Sequence, residues 1–113
     1  DWNILLDEKG GPNHVGNFCF APVHADLKKG ELIYTNSFYY IGHFSKFIRP
    51  GAQRIVSSSN RDLLETTAFQ NTDGKIVVVV MNRSEQKLPY LLWINGKAAK
   101  MESLPHSIAS LVF

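Results

Sequence analysis

From Ala52 to Phe113 the chain repeats one local pattern, a short apolar or alternating run followed by a cluster of turn formers, and few folds accommodate it. The runs are Gln53 to Ser57, Leu63 to Gln70, Lys75 to Asn82, Leu88 to Ile94, Lys97 to Glu102 and His106 to Phe113. Asn71-Thr72-Asp73-Gly74 and Asn95-Gly96 separate some of them. Both are hairpin signals, because Asn and Gly tolerate the positive φ that tight turns demand. Strands at this spacing predict a mainly β chain, an antiparallel β-sandwich with Greek-key, immunoglobulin-like connections. Val77 to Val80 form a fully apolar run, expected in the middle of its sheet. Ile108, Leu111 and Phe113 mark an inward face imperfectly.

The first fifty residues read differently. Trp2 to Leu6 is an apolar run that collapses into Asp7-Glu8-Lys9-Gly10-Gly11-Pro12-Asn13, a cluster of turn formers that must be a loop. Ile4, Leu5 and Leu6 do not alternate, so the strand is expected to be buried on both faces, as parallel strands are, yet no other run reads as its parallel partner. Val23 to Asp26 and Glu31 to Tyr34 suit a hairpin through Leu27-Lys28-Lys29-Gly30. A helix follows, capped by Asn36 or Ser37 and stopped at Pro50-Gly51. Its stripe of Tyr40, Phe44 and Phe47 predicts a packing face, and Gly42 suggests close approach by a neighbour.

Composition narrows function mainly by exclusion. At 113 residues the chain is too short for a (β/α)₈ barrel, which needs roughly 250 residues. No stretch approaches the ~18 apolar residues of a membrane span. The net charge of +2 comes from scattered basic residues, so nucleic acid is not an expected partner. Cys19, the single cysteine, lies in Asn17-Phe18-Cys19-Phe20 and is expected to be a buried, inert thiol without a disulfide partner. The chain begins at Asp1 without an initiator methionine, so the lack of a visible leader does not decide compartment.

No reactive constellation emerges. Glycoside hydrolysis needs two carboxyl groups about 5 Å apart in retaining enzymes, or ~6.5–9.5 Å in inverting ones. Asp7 and Glu8 are adjacent in a loop, and adjacency does not make side chains converge; the other acids fall singly near turns. His14, His24, His43 and His106 are too dispersed for a metal motif, so neither a metal nor a cofactor is expected. His43 and Ser45 lack the Gly-x-Ser-x-Gly elbow of a serine hydrolase. Gly10-Gly11-Pro12 is not a phosphate loop, and Asn82-Arg83-Ser84 is a formal glycosylation sequon.

Several blocks, taken in order, resemble the C-terminal region of glycoside hydrolase family 30, the glucosylceramidase-like β-glycosidases. They are Asp1-Trp2-Asn3, Gly10-Gly11-Pro12-Asn13, Asn17-Phe18, Gly42-His43-Phe44-Ser45-Lys46-Phe47-Ile48 and Val77-Val78-Val79-Val80-Met81-Asn82-Arg83-Ser84. The resemblance spans nearly the whole chain and weakens after Ser84. It implies a retaining β-glycosidase whose (β/α)₈ barrel is fused to a β-sandwich. Residues 1–50 would be the last strand, loop and helix of that barrel and 51–113 the sandwich. Both catalytic glutamates would precede Asp1, leaving no catalytic residue here. Trp2, Asn17 and Phe18 match substrate-contact positions at the barrel mouth, where such sites lie. The partner implied is a carbohydrate substrate reached through the parent barrel, in a secreted, periplasmic or lysosomal protein; the separated chain is expected to self-associate.

Departures lie in the same loop. His14 stands where glucosylceramidases have tryptophan and Gly16 where they have arginine, which puts aglycone preference in doubt. Two other classes compete: a carbohydrate-binding module using Tyr34, Tyr90 and Trp93 as a stacking platform, and an immunoglobulin-like interaction domain. Ring exposure discriminates the first; the second leaves the Asp1-Trp2-Asn3 and Gly-Gly-Pro-Asn blocks unexplained.

Overall fold

The computed structural model describes residues 2–113; Asp1 of the Asp1-Trp2-Asn3 block lies outside the described residues. The chain divides into two compact units, Asp1–Gly42 and His43–Phe113.

The first unit contains a three-stranded sheet ordered β1 (Leu5–Asp7), β2 (Val23–Asp26), β3 (Glu31–Tyr34). β2 and β3 form the expected hairpin with the expected ends. Asp26 drives the turn, its carboxylate accepting the Lys28 and Lys29 N–H groups at 3.0 and 3.1 Å, while Gly30 N–H donates to the Asp26 carbonyl. The parallel partner of β1 is β2, with Leu5, Leu6 and Asp7 opposite Val23, His24 and Ala25. That partner was not legible because β2 also reads as one arm of a hairpin. Nor is β1 buried on both faces: Ile4 and Leu5 are exposed and Leu6 is half-buried.

Helix α1 (Asn36–Ser45) begins after Thr35, whose hydroxyl donates to the Pro22 carbonyl at 3.0 Å. Asn36 and Ser37 thus fall in its first turn. It is shorter than the predicted 37–50 and has no buried residue, and Tyr40 and Phe44 of the aromatic stripe are exposed. A Cβ built on Gly42 would meet nothing within 4 Å, so the glycine marks no close approach.

The second unit is the antiparallel sandwich. One sheet is ordered β4 (Gln53–Ile55), β5 (Leu64–Gln70), β6 (Ile76–Asn82), β9 (Ser107–Val112); β7 (Leu88–Ile94) and β8 (Lys97–Ser103) form the second. The chain leaves the first sheet after β6, makes the β7–β8 hairpin and returns beside β6 as β9. Val78 and Val80 meet Leu64, Ala68 and Leu88 in the core, against which Tyr90, Leu92, Ile94 and Leu111 pack. Val77 and Val79 are equally buried on the opposite face, so the valine run is central as its composition predicts. Phe113 is exposed, so of the inward set at the C-terminus Leu111 carries the core contact.

Turn chemistry holds this unit in register. Asn71 N–H donates to the Lys75 carbonyl at 2.8 Å, and Gly74 N–H to the Asn71 carbonyl at 2.9 Å. The Asn71 amide donates to the Phe47 carbonyl and accepts the Arg49 N–H, so one buried side chain ties the β5–β6 turn to the segment before β4. Asn95 and Gly96 both adopt positive φ, 50° and 75°, as a two-residue hairpin turn requires.

Candidate functional site

Two of the three anticipated contact residues share one loop, between Asp7 at the end of β1 and Val23 at the start of β2. The loop is closed by its own backbone. Gly11 N–H donates to the Cys19 carbonyl at 3.1 Å, Asn17 N–H to the Pro12 carbonyl at 3.3 Å, and Asn13–Val15 form a single 3₁₀ turn ended by Gly16 in the left-handed region. Gly10 is required where it stands. Its φ is +76°, and a Cβ there would lie 2.3 Å from the Cys19 carbonyl oxygen.

Within this frame Phe18 is 61% exposed and Asn17 half-buried. Cys19 Sγ donates to Asn17 Oδ1 at 2.9 Å, which orients the amide. Asn17 Nδ2 has no protein partner among the described residues. Cys19 is itself exposed, contrary to the expectation from its apolar neighbours. Val15 and Phe20 are exposed as well, giving the loop an apolar rim. Trp2 lies on the other flank of β1 and is 87% exposed. No hydrogen bond or ring pairing among the described residues joins it to Asn17 or Phe18. An exposed tryptophan face can stack on a sugar ring, and an asparagine amide can donate to a hydroxyl.

The acids of this loop have structural duties. Asp7 Oδ1 accepts the Lys9 N–H at 3.0 Å, and Glu8 Oε2 accepts the Leu27 N–H at 3.3 Å. Each carboxylate is aimed at a different backbone donor, so they do not form the facing pair that glycoside hydrolysis requires. Among the described residues no group of three or more His, Cys, Asp or Glu side chains is placed to hold a metal ion. No described helix is long and apolar enough to cross a membrane.

The histidines do local work. His43 Nδ1 lies 3.0 Å from Ser110 Oγ, but that hydroxyl donates to the His43 carbonyl at 2.9 Å, so the ring donates its hydrogen bond to the serine oxygen instead of accepting one from it. This polarity is opposite to that of an activated nucleophile. His106 Nε2 meets Glu85 Oε1 at 2.8 Å on the surface.

A concavity of 980 Å³ lies in the sandwich unit between the two sheets, lined by Leu64, Val78, Val80, Tyr90, Leu92 and the segment Ser57–Arg61. None of its lining residues is acidic. The proposed aromatic platform does not form. Tyr90 packs against the core while Trp93, three residues on in the same strand, points to the opposite face and is 66% exposed. Tyr34 instead pairs with Phe38 at 4.7 Å in the first unit.

Two domain families match in chain order: the glycosyl hydrolase family 30 TIM-barrel domain over residues 1–48 and the glycosyl hydrolase family 30 β-sandwich domain over residues 51–111. The lysosomal acid glucosylceramidase of Mus musculus is 47% identical over 91 residues, covering 79% of this chain and 18% of the relative. Putative glucosylceramidase 2 of Caenorhabditis elegans is 43% identical over 106 residues, covering 92% of this chain and 20% of the relative. Among solved structures, SrfJ from Salmonella typhimurium superposes with a TM-score of 0.93 at 41% identity, covering all of this chain and 25% of that one. The endo-β1,6-glucanase BT3312 superposes with a TM-score of 0.85 at 27% identity, covering 96% and 25%. The chain therefore spans about a fifth of the length of these curated relatives.

Proposed function

Because the chain belongs to glycoside hydrolase family 30, we propose that it works as the C-terminal part of a retaining β-glycosidase. Residues 1–50 supply the last strand, loop and helix of the catalytic barrel, residues 51–113 are the supporting sandwich, and Trp2, Asn17 and Phe18 contact carbohydrate. The observation that carries this reading is the ordered pair of domain matches, barrel then sandwich, meeting between residues 48 and 51. Exposure supports it. The strand β1 and helix α1 present Ile4, Leu5, Tyr40 and Phe44 to solvent, apolar area that barrel neighbours would cover. Relatives include glucosylceramidases and an endo-β1,6-glucanase, so the substrate class is a β-linked glycoside.

In this reading the chain's residues bind and orient, and the two carboxyl groups that break the glycosidic bond lie outside it. The test compares the purified chain with a longer protein that includes the upstream barrel, using an aryl β-glucoside. The chain alone is expected to be silent. In the longer protein Trp2→Ala and Phe18→Ala are expected to lower kcat/KM by about tenfold each, the loss of one ~1.4 kcal/mol stacking contact. Turnover by the chain alone, abolished by Asp7→Asn or Glu8→Gln, would overturn the proposal.

A further inference from the structure

The loop carrying Asn17 and Phe18 is gripped at both ends by one buried side chain. His24, in β2, is only 7% exposed and sits opposite Leu6 in the parallel pair. Its Nε2 is 3.0 Å from the Ala21 N–H, where the loop rejoins the sheet. Its Nδ1 is 3.0 Å from the Asp7 carbonyl, where the loop leaves β1. A backbone N–H can only donate and a carbonyl can only accept, so the ring carries one proton, on Nδ1, and accepts at Nε2. The other tautomer would set donor against donor and acceptor against acceptor. The Phe20 ring stands edge-on to His24 at 5.3 Å between centroids, adding a contact to the loop's last turn.

We propose that His24 is a positioning residue for the substrate loop, acting in the Nδ1–H tautomer as a clasp that sets the separation of Asp7 and Ala21 and thereby the placement of Asn17 and Phe18. This rests on the reading that the loop meets carbohydrate. The clasp works through the backbone. Fixing both ends of the thirteen residues between Asp7 and Ala21 removes conformational freedom that the inner bonds, Gly11 to Cys19 and Asn17 to Pro12, would otherwise oppose alone. A leucine at 24 fills similar space but leaves the Ala21 N–H and the Asp7 carbonyl without their partner. Glutamine is the conservative replacement, since an amide holds one acceptor and one donor across a single carbon, as the imidazole does.

Long-range ¹H–¹⁵N spectra of the histidine rings in the chain are expected to show His24 protonated at Nδ1 alone. Hydrogen exchange at the Gly11 and Asn17 amides is expected to rise about tenfold or more in His24→Leu, with β5 and β6 unchanged, and to return towards the original rate in His24→Gln. In the longer enzyme His24→Leu is expected to raise KM for an aryl β-glucoside several-fold with kcat nearly constant, and His24→Gln to restore it. An Nε2–H tautomer, unchanged loop exchange in His24→Leu, or no recovery in His24→Gln overturns the clasp. Faster loop exchange with an unchanged KM keeps the clasp and overturns the substrate reading beneath it.

Discussion

Asn82 Nδ2 donates to the Leu104 carbonyl at 2.9 Å, joining the end of β6 to the β8–β9 connection twenty-two residues later. The same amide donates to the Gln86 carbonyl at 2.8 Å and lies 3.4 Å from the Ser103 carbonyl, while Oδ1 accepts both the N–H and the hydroxyl of Ser84. At 1% exposure this side chain is a keystone between the β6–β7 and β8–β9 connections. It is also the acceptor residue of the Asn82-Arg83-Ser84 sequon, and a glycan on Nδ2 cannot coexist with these bonds. Mass spectrometry of folded chain from a eukaryotic secretory host is expected to find Asn82 unmodified. Asn82→Ala should lose about 2–4 kcal/mol in urea denaturation, because one buried and two part-buried bonds to carbonyls are lost at once.

The valine strand offers a sharper test of the core. Val80 is 1% exposed and belongs to the cluster with Leu64 and Leu88. Val80→Asp should prevent folding, since an unpaired buried carboxylate costs a large share of a domain's ~5–15 kcal/mol. Circular dichroism and thermal melting read this directly; a melting temperature like that of the unaltered chain would place the strand at the surface.

Tyr90 gives the sandwich an alkaline limit. Burial against the core raises its phenol above the ordinary value of 10.0. The folded state thus favours the neutral form, and that contribution is fully present below the unfolded value. It is lost as pH rises from about 10 through the folded value. Urea midpoints measured from pH 9 upward should fall in this window, and Tyr90→Phe should flatten the decline. An equal decline in Tyr90→Phe would assign it to other groups.

The exposed apolar area of the first unit bears on solution behaviour. Ile4, Leu5, Phe20 and Tyr39 stand in water, where each Å² costs about 25 cal/mol. The separated chain is therefore expected to self-associate, with light scattering showing a mass that grows with concentration and Ile4→Lys with Leu5→Lys shifting it towards monomer. A strictly monomeric chain at every concentration would refute this.

Much of the architecture follows from neighbours along the chain. Val23–Asp26, Glu31–Tyr34 and Leu88–Ile94 have the ends their sequence predicts, because Asp26 and Gly30, or Asn95 and Gly96, supply turn conformations from within four residues. The valine run announces a central strand by composition alone. The first part of the loop after β1, Asp7 to Asn13, was legible too, from its glycines and Pro12.

Tertiary structure decided what depends on partners far away in sequence. β1 pairs in parallel with β2, β6 finds β9, His43 finds Ser110 and His24 spans Asp7 and Ala21. None of these has a periodicity, since the chemistry of a histidine or serine does not encode which distant backbone atom it will meet. The aromatic stripe of α1 and the run from Ile4 to Leu6 show the complementary case: pattern specifies that a face is apolar, but only the presence of neighbouring elements determines whether it is buried. Local sequence fixes φ, ψ and alternation because those energies act between adjacent residues; register between strands and the placement of Asn17 and Phe18 depend on loop closure and packing, which act across the whole unit.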